Sequence, residues 1–124
     1  GNINQLNEFL IGLERPYRRE LELNWPGPIT YLVPDNGLAP RWIVGNHKTV
    51  GLRVTDHPLV QELCAISGPL VSTSANISSR PAAMNALEVR RYFRTNIDYL
   101  VPGELGQNGR PTEIRVLTTG EVLR

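Results

Sequence analysis

The stretch Val50-Gly51-Leu52-Arg53-Val54-Thr55-Asp56-His57-Pro58-Leu59-Val60-Gln61-Glu62-Leu63-Cys64-Ala65-Ile66-Ser67-Gly68-Pro69-Leu70-Val71-Ser72-Thr73-Ser74-Ala75-Asn76 decides the fold class. Val50 to Val54 reads as a strand. Thr55 or Asp56 can cap the helix that follows, with Pro58 in its first turn. Leu59, Val60, Leu63 and Cys64 supply that helix with a buried face, and Gly68 ends it. Pro69-Leu70-Val71 then reads as a short buried strand that runs straight into the polar loop Ser72-Thr73-Ser74-Ala75-Asn76. Strand, helix, strand and loop in this order predict an α/β or α+β domain with a mixed sheet.

Working outward, Ile3, Leu6, Phe9, Leu10 and Leu13 fall at helical spacing and predict a short helix ending near Gly12 to Pro16. Tyr17 to Leu23 predicts a second helix, stopped by Trp25-Pro26-Gly27-Pro28, where two prolines and a glycine cannot continue it. Ile29 to Val33 is a strand rich in β-branched and aromatic residues, broken by Pro34-Asp35-Asn36-Gly37. Residues 38–49 show no periodicity. Downstream, Asn85 is placed to cap a helix over Ala86 to Phe93, and Tyr99-Leu100-Val101 predicts another strand. Ile114 to Leu117 and Glu121 to Arg124 predict a hairpin around Thr118-Thr119-Gly120. No repeat, low-complexity tract or linker interrupts the chain, so residues 1–124 are read as one domain.

Composition is that of an ordinary globular chain: 124 residues, 40% hydrophobic and 20% charged. Thirteen Lys and Arg against twelve Asp and Glu give a net charge of +1, which does not by itself imply a nucleic-acid partner. Lys48 is the one lysine, so the basic side chains are nearly all guanidinium groups, whose planar forks suit phosphate and carboxylate. Cys64, the single cysteine, rules out an internal disulfide and fits a reducing compartment. No apolar run has transmembrane length and no signal-peptide pattern opens the chain, so a soluble, cytoplasmic protein is expected. The opening Gly-Asn-Ile-Asn-Gln, without Met, reads as the middle of a longer sequence, and an N-terminal portion is expected to be missing.

Four features are weighed for chemistry. Ser72 to Asn76 sets three hydroxyls and an amide just past an apolar strand, where hydroxyls and backbone N–H groups can surround an anion. Serine and asparagine equally favour turns and helix caps, so a polar turn stands beside the ligand loop as a reading. Arg53 alternates with Leu52 and Val54 and can either clamp a phosphate bidentately or be a solvated edge residue. Thr30 in isolation is a β-former filling a strand. Thr112, beside Glu113 and Arg115, enters the last hairpin; with Arg124 it can close one side of a phosphate site. His47, His57 and Cys64 have no zinc spacing, and Cys64 reads as a buried structural thiol. The chain carries no Walker loop, Gly-x-Gly-x-x-Gly or Gly-x-Ser-x-Gly motif.

Taken in order, Trp25-Pro26-Gly27-Pro28-Ile29-Thr30, Leu52-Arg53-Val54-Thr55-Asp56-His57-Pro58, Gly68 to Asn76, Val101-Pro102-Gly103-Glu104 and Pro111-Thr112-Glu113-Ile114-Arg115 resemble the successive motifs of the YrdC/TsaC family. The resemblance implies a twisted mixed α/β sheet with flanking helices and an open, positively charged concave face. It also implies a threonylcarbamoyl-AMP synthase, a nucleotidyltransferase that joins L-threonine, bicarbonate or carbon dioxide, and ATP, and releases diphosphate. Downstream enzymes then transfer the threonylcarbamoyl group to tRNA. Mg²⁺ is expected to be held mainly by the nucleotide, with no dedicated protein metal site and no protein nucleophile.

By the same resemblance, Thr30 contacts threonine or its carbamate, and Arg53 faces nucleotide and substrate. Ser72, Ser74 and Asn76 line the phosphate and adenosine side, and Thr112 and Arg124 lie near the nucleotide. The resemblance also implies an N-terminal Pro-Thr-Glu segment, distinct from Pro111-Thr112-Glu113, and a lysine–arginine motif; neither is found here, so weak ATP binding and little or no synthase activity are expected of this stretch alone. A tRNA-binding module without catalytic activity is the alternative, drawing on Arg15, Arg18, Arg19, Arg41, Arg80, Arg90, Arg91, Arg94 and Arg110. A YrdC-like domain within a carbamoyltransferase for hydrogenase maturation is a third reading; the ending at Gly120 to Arg124 favours a short stand-alone protein.

Overall fold

Asn2 opens the first element. Its side-chain oxygen accepts from the backbone N–H groups of Asn4 and Gln5, and the Gln5 side chain accepts from the Asn2 N–H, a reciprocal cap on a 3-10 helix over Ile3–Leu10. The computed structural model describes residues 1–106 and 111–124 and divides into two compact units, one of Gly1–Leu70 with Thr112–Arg124 and one of Val71–Pro111. Arg110 lies outside the described residues.

In the first unit, helix α1 runs over Arg15–Asn24, with Pro16 in its first turn and Leu21 fully buried. It stops at Trp25, whose peptide bond to Pro26 is cis. Strand β1, Ile29–Pro34, is central in a sheet of order β2-β1-β3. Strand β2, Thr49–Leu52, pairs with β1 antiparallel; strand β3, Glu113–Val116, pairs with it in parallel. Between β1 and β2 a one-turn helix α2, Arg41–Val44, buries Val44. Helix α3, Pro58–Ser67, follows β2 and ends at Gly68.

Alternation gives the sheet two unlike faces. Tyr31 and Val33 of β1 stand with their cross-strand partners Leu52 and Val50 on the buried face, packed with Leu6, Leu10, Leu21, Trp25, Val44 and Val54. Burying a side chain such as Leu21, Val33 or Val54 contributes roughly 1.5–3 kcal/mol. The Trp25 ring meets Tyr31 edge-on at 5.8 Å, and its Nε1 donates to the Ile29 carbonyl at 2.9 Å. The other face carries Thr30, Leu32, Gly51, Ile114 and Val116, none of them buried.

The second unit contains helix α4, Ala86–Phe93, with the bounds the sequence predicts: Asn85 accepts from the Glu88 N–H at 3.0 Å. Glu88 reaches back to the Met84 N–H at 2.8 Å, so helix start and cap hold each other.

Several sequence expectations are corrected. Pro69-Leu70-Val71 and Tyr99-Leu100-Val101 form no strand; Leu70, Val71 and Tyr99 are exposed. A three-residue apolar run becomes a strand only where a ladder partner stands beside it, and neither run has one among the described residues. Residues 38–49 contain α2 rather than irregular chain alone. Strand β2 begins at Thr49 and ends at Leu52, so Arg53 follows it rather than lying within it. The cap position of α3 is His57, and Thr55 acts two residues earlier, its Oγ1 accepting the His57 N–H at 3.1 Å. Of the four residues expected to form that helix's buried face only Cys64 is buried; Leu59 and Leu63 are 37% and 43% exposed. The last hairpin is present as a return of the chain, with Ile114 and Val116 bonded to Arg124, Leu123 and Glu121 backbone groups at 2.8–2.9 Å.

Candidate functional site

Thr30 occupies the open face of β1. The parallel register pairs Thr30 with Ile114, so Thr112, two residues earlier, projects on the same side. Their hydroxyl oxygens are 3.3 Å apart. One hydroxyl donates to the other, which leaves one O–H and several lone pairs facing outward. Arg124 reaches the same place: its Nε donates to the Thr112 carbonyl at 3.4 Å. The chain return that pairs Arg124 with Ile114 is what brings it there.

Arg53 is exposed between the buried Leu52 and Val54, on the face that alternation predicts. Extending the β1–β2 register by one step sets Arg53 opposite Thr30. Thus Thr30, Thr112 and Arg124 are brought together, and Arg53 stands on their face of the sheet. Two hydroxyls and two guanidinium groups are a donor-rich set suited to carboxylate, carbamate or phosphate. The same set does not suit a divalent cation, which takes anionic or carbonyl oxygens. Among the described residues no three His, Cys, Asp or Glu side chains gather as a metal site.

Ser72, Ser74 and Asn76 belong to the second unit and form a group of their own. Ser74 Oγ donates to Asn76 Oδ1, and the Asn76 amide donates to the Ile77 and Arg80 carbonyls at 3.3 and 3.1 Å. Ala83 N–H closes the loop on the Ala75 carbonyl at 2.8 Å. Asn76 therefore shapes the loop, while Ser72 and Thr73 present exposed hydroxyls. These hydrogen bonds within the loop are those of a polar turn.

Sequence reading missed a polar cluster on the other face. Tyr31 is completely buried, and its hydroxyl donates to Glu20 of α1 at 2.9 Å. Arg115 bonds Glu113 at 2.7 Å through Nε, lies 3.7 Å from Glu20, and stands 5.9 Å from the centre of the Tyr31 ring. Burial, with the Glu20 carboxylate as acceptor, pushes the Tyr31 hydroxyl up to about 12. The hydrogen bond that Arg115 donates to the Glu113 carboxylate raises the guanidinium above its ordinary value. The alternation Glu113-Ile114-Arg115 was the available signal, because it sets both charges on one face of a strand.

A protein-family model, Sua5/yciO/yrdC, described as telomere recombination, matches residues 1–124. The chain is 49% identical over 123 residues to a protein of Pseudomonas savastanoi pv. phaseolicola named threonylcarbamoyl-AMP synthase, covering 99% of this chain and 66% of that one. A protein of the same name from Cellvibrio japonicus is 49% identical over 124 residues, with coverage again 99% and 66%. The chain thus spans slightly under two thirds of the length of these curated relatives. Among solved structures, P. abyssi Sua5 complexed with L-threonine superposes with a TM-score of 0.88 at 27% identity, covering 100% of this chain and 37% of that one. A double variant of P. abyssi Sua5 gives 0.89 at 27% identity, with 99% and 39% covered.

Proposed function

The chain belongs to the Sua5/yciO/yrdC family, and from that membership we propose that it carries part of the site of a threonylcarbamoyl-AMP synthase acting in the threonylcarbamoyladenosine modification of tRNA. The observation that carries the reading is the Thr30–Thr112–Arg124 group on the open face of the sheet, in a chain 49% identical to proteins of that name. One family model running across both compact units supports reading residues 1–124 as one domain.

In this reading the amine of L-threonine adds to carbon dioxide with loss of a proton, or condenses with bicarbonate with loss of water, to give a carbamate. A carbamate oxygen attacks the α-phosphorus of ATP, the bond to the β-phosphate breaks, and diphosphate leaves with threonylcarbamoyl-AMP formed. The substrate supplies the nucleophile, so the protein's task is to orient reactants and to stabilise charge, making this a nucleotidyl transfer. The Thr30–Thr112 pair offers its free O–H to the carboxylate or carbamate. Arg53 neutralises anionic charge from the neighbouring strand, and Arg124 serves the nucleotide side. Mg²⁺ held by the ATP phosphates would supply charge neutralisation there. In the second unit, the exposed hydroxyl of Ser72 and the Ser74–Asn76 pair are assigned to nucleotide phosphate and adenosine. Enzymes that transfer the threonylcarbamoyl group to tRNA consume the product in the cytoplasm; no helix of the described residues is long and apolar enough to cross a membrane.

The test is direct. The longest natural polypeptide containing residues 1–124 is incubated with ATP, labelled L-threonine and bicarbonate, and diphosphate and threonylcarbamoyl-AMP are measured. Absence of both products ends the enzyme reading. A second reading, tRNA binding, rests on Arg80, Arg90, Arg91 and Arg94, all exposed in the second unit. Under it, tRNA affinity falls steeply as salt rises; a flat salt response excludes it.

A further inference from the structure

Gly51 sits in the interior of β2, on the open face of the sheet. Its strand neighbours Val50 and Leu52 are 4% and 8% exposed, whereas Gly51 itself is exposed. The backbone does not demand glycine there, because Gly51 has no positive φ. Space does not demand it either: a Cβ at Gly51 would lie 3.6 Å from Thr30 Cγ2 and Leu32 Cδ2, an ordinary contact. Gly27 is the contrasting case. A Cβ there would come within 2.6 Å of the Asn24 carbonyl oxygen, so glycine is needed for the chain to pass.

A glycine inside a strand weakens it, through greater freedom in the unfolded chain and lost cross-strand packing. Where the fold does not need the glycine, its remaining use is to let another molecule approach the backbone closely. The surroundings say what kind of molecule. Thr30 is a diagonal neighbour across the β1–β2 ladder, and Arg53 is two residues on along the same face. A hydroxyl and a guanidinium group flank a bare stretch of backbone, an arrangement that fits a small α-amino acid lying on the sheet.

We infer that Gly51 is a specificity-determining residue: its missing side chain forms the floor on which the carbon skeleton of the amino-acid substrate rests. This rests on the proposed function and adds a size limit to the same site. The absence of a Cβ at residue 51 sets how deeply the amino acid descends toward Thr30, so a larger residue lifts or excludes it.

The experiment compares the protein with Gly51→Ala and Gly51→Val by calorimetric titration with L-threonine and by thermal unfolding. The expected result is an unchanged or higher melting temperature together with weaker L-threonine binding, graded by size and falling roughly tenfold or more for Gly51→Val. Equal L-threonine affinity in Gly51→Val overturns the inference and leaves the proposed function standing. A large drop in melting temperature for Gly51→Ala also overturns it, because the glycine is then structural. If the unsubstituted protein itself binds no L-threonine, the proposed function fails first and the inference falls with it.

Discussion

The hydroxyl oxygens of Thr30 and Thr112 lie 3.3 Å apart although 82 positions separate them in the chain. Replacing either by valine keeps the β-branched shape and removes the hydroxyl. Thr30→Val is expected to weaken L-threonine binding about three- to tenfold, the net worth of one hydrogen bond, with little change in melting temperature. Thr112→Val is expected to act in the same direction, and the double variant to lose less than the sum, since each change already breaks the shared contact. Calorimetry on the four proteins measures this coupling; strictly additive losses count against a shared role.

Arg53 tests the charged side of the same face. Arg53→Ala is expected to lower ATP affinity by about ten- to a hundredfold, in line with loss of a hydrogen bond to a charged group. The exposed position predicts no loss of fold, which circular dichroism checks. Ser74→Ala is expected to lower ATP affinity more modestly. Unchanged nucleotide binding in both variants refutes these assignments.

Tyr31 carries a pH prediction. Its hydroxyl is held up to about 12, chiefly by burial and then by Glu20, against 10.0 in an unfolded chain. The folded form therefore keeps the proton more tightly than the unfolded form. The stabilisation is fully present below pH 10.0 and is lost as pH rises toward about 12. Denaturant unfolding across that range is expected to show falling stability, and Tyr31→Phe to flatten the fall. At neutral pH the same variant is expected to cost about 1 kcal/mol from the lost bond to Glu20.

Gly27, unlike Gly51, is required by the fold. Gly27→Ala drives a Cβ into the Asn24 carbonyl and is expected to destabilise the protein by about 1–3 kcal/mol. Asn76 supplies the matching case in the second unit. Asn76→Ala removes donors to the Ile77 and Arg80 carbonyls, and faster proteolysis at Arg80 is expected, whereas Ser72→Ala leaves cleavage unchanged.

Sequence reading succeeded where the determinants are local. Asn85 and Glu88 fix the start of α4 within four residues, and Pro26 to Pro28 end α1 by backbone chemistry alone. It also found β1, whose run of β-branched and aromatic residues is long enough to speak for itself. It failed where a residue's state depends on a distant partner. Leu70 and Tyr99 carry strand-like neighbours, yet pairing is a property of two segments, not one. The Glu20–Tyr31–Arg115 cluster joins three elements, so no single window of sequence contains it. The site shows the same division. The exposed side on which Arg53 stands was legible by alternation, whereas the meeting of Thr30 with Thr112 depends on a parallel register set late in the chain.

That register bears on how the protein is made. Strand β1 leaves the ribosome long before Glu113–Val116, the partner for its second edge. Until then Ile29 to Leu32 expose an unsatisfied row of amide and carbonyl groups to the cell. A nascent chain stalled before residue 112 thus presents a half-built sheet edge, the state in which chaperone capture or strand-to-strand aggregation is decided.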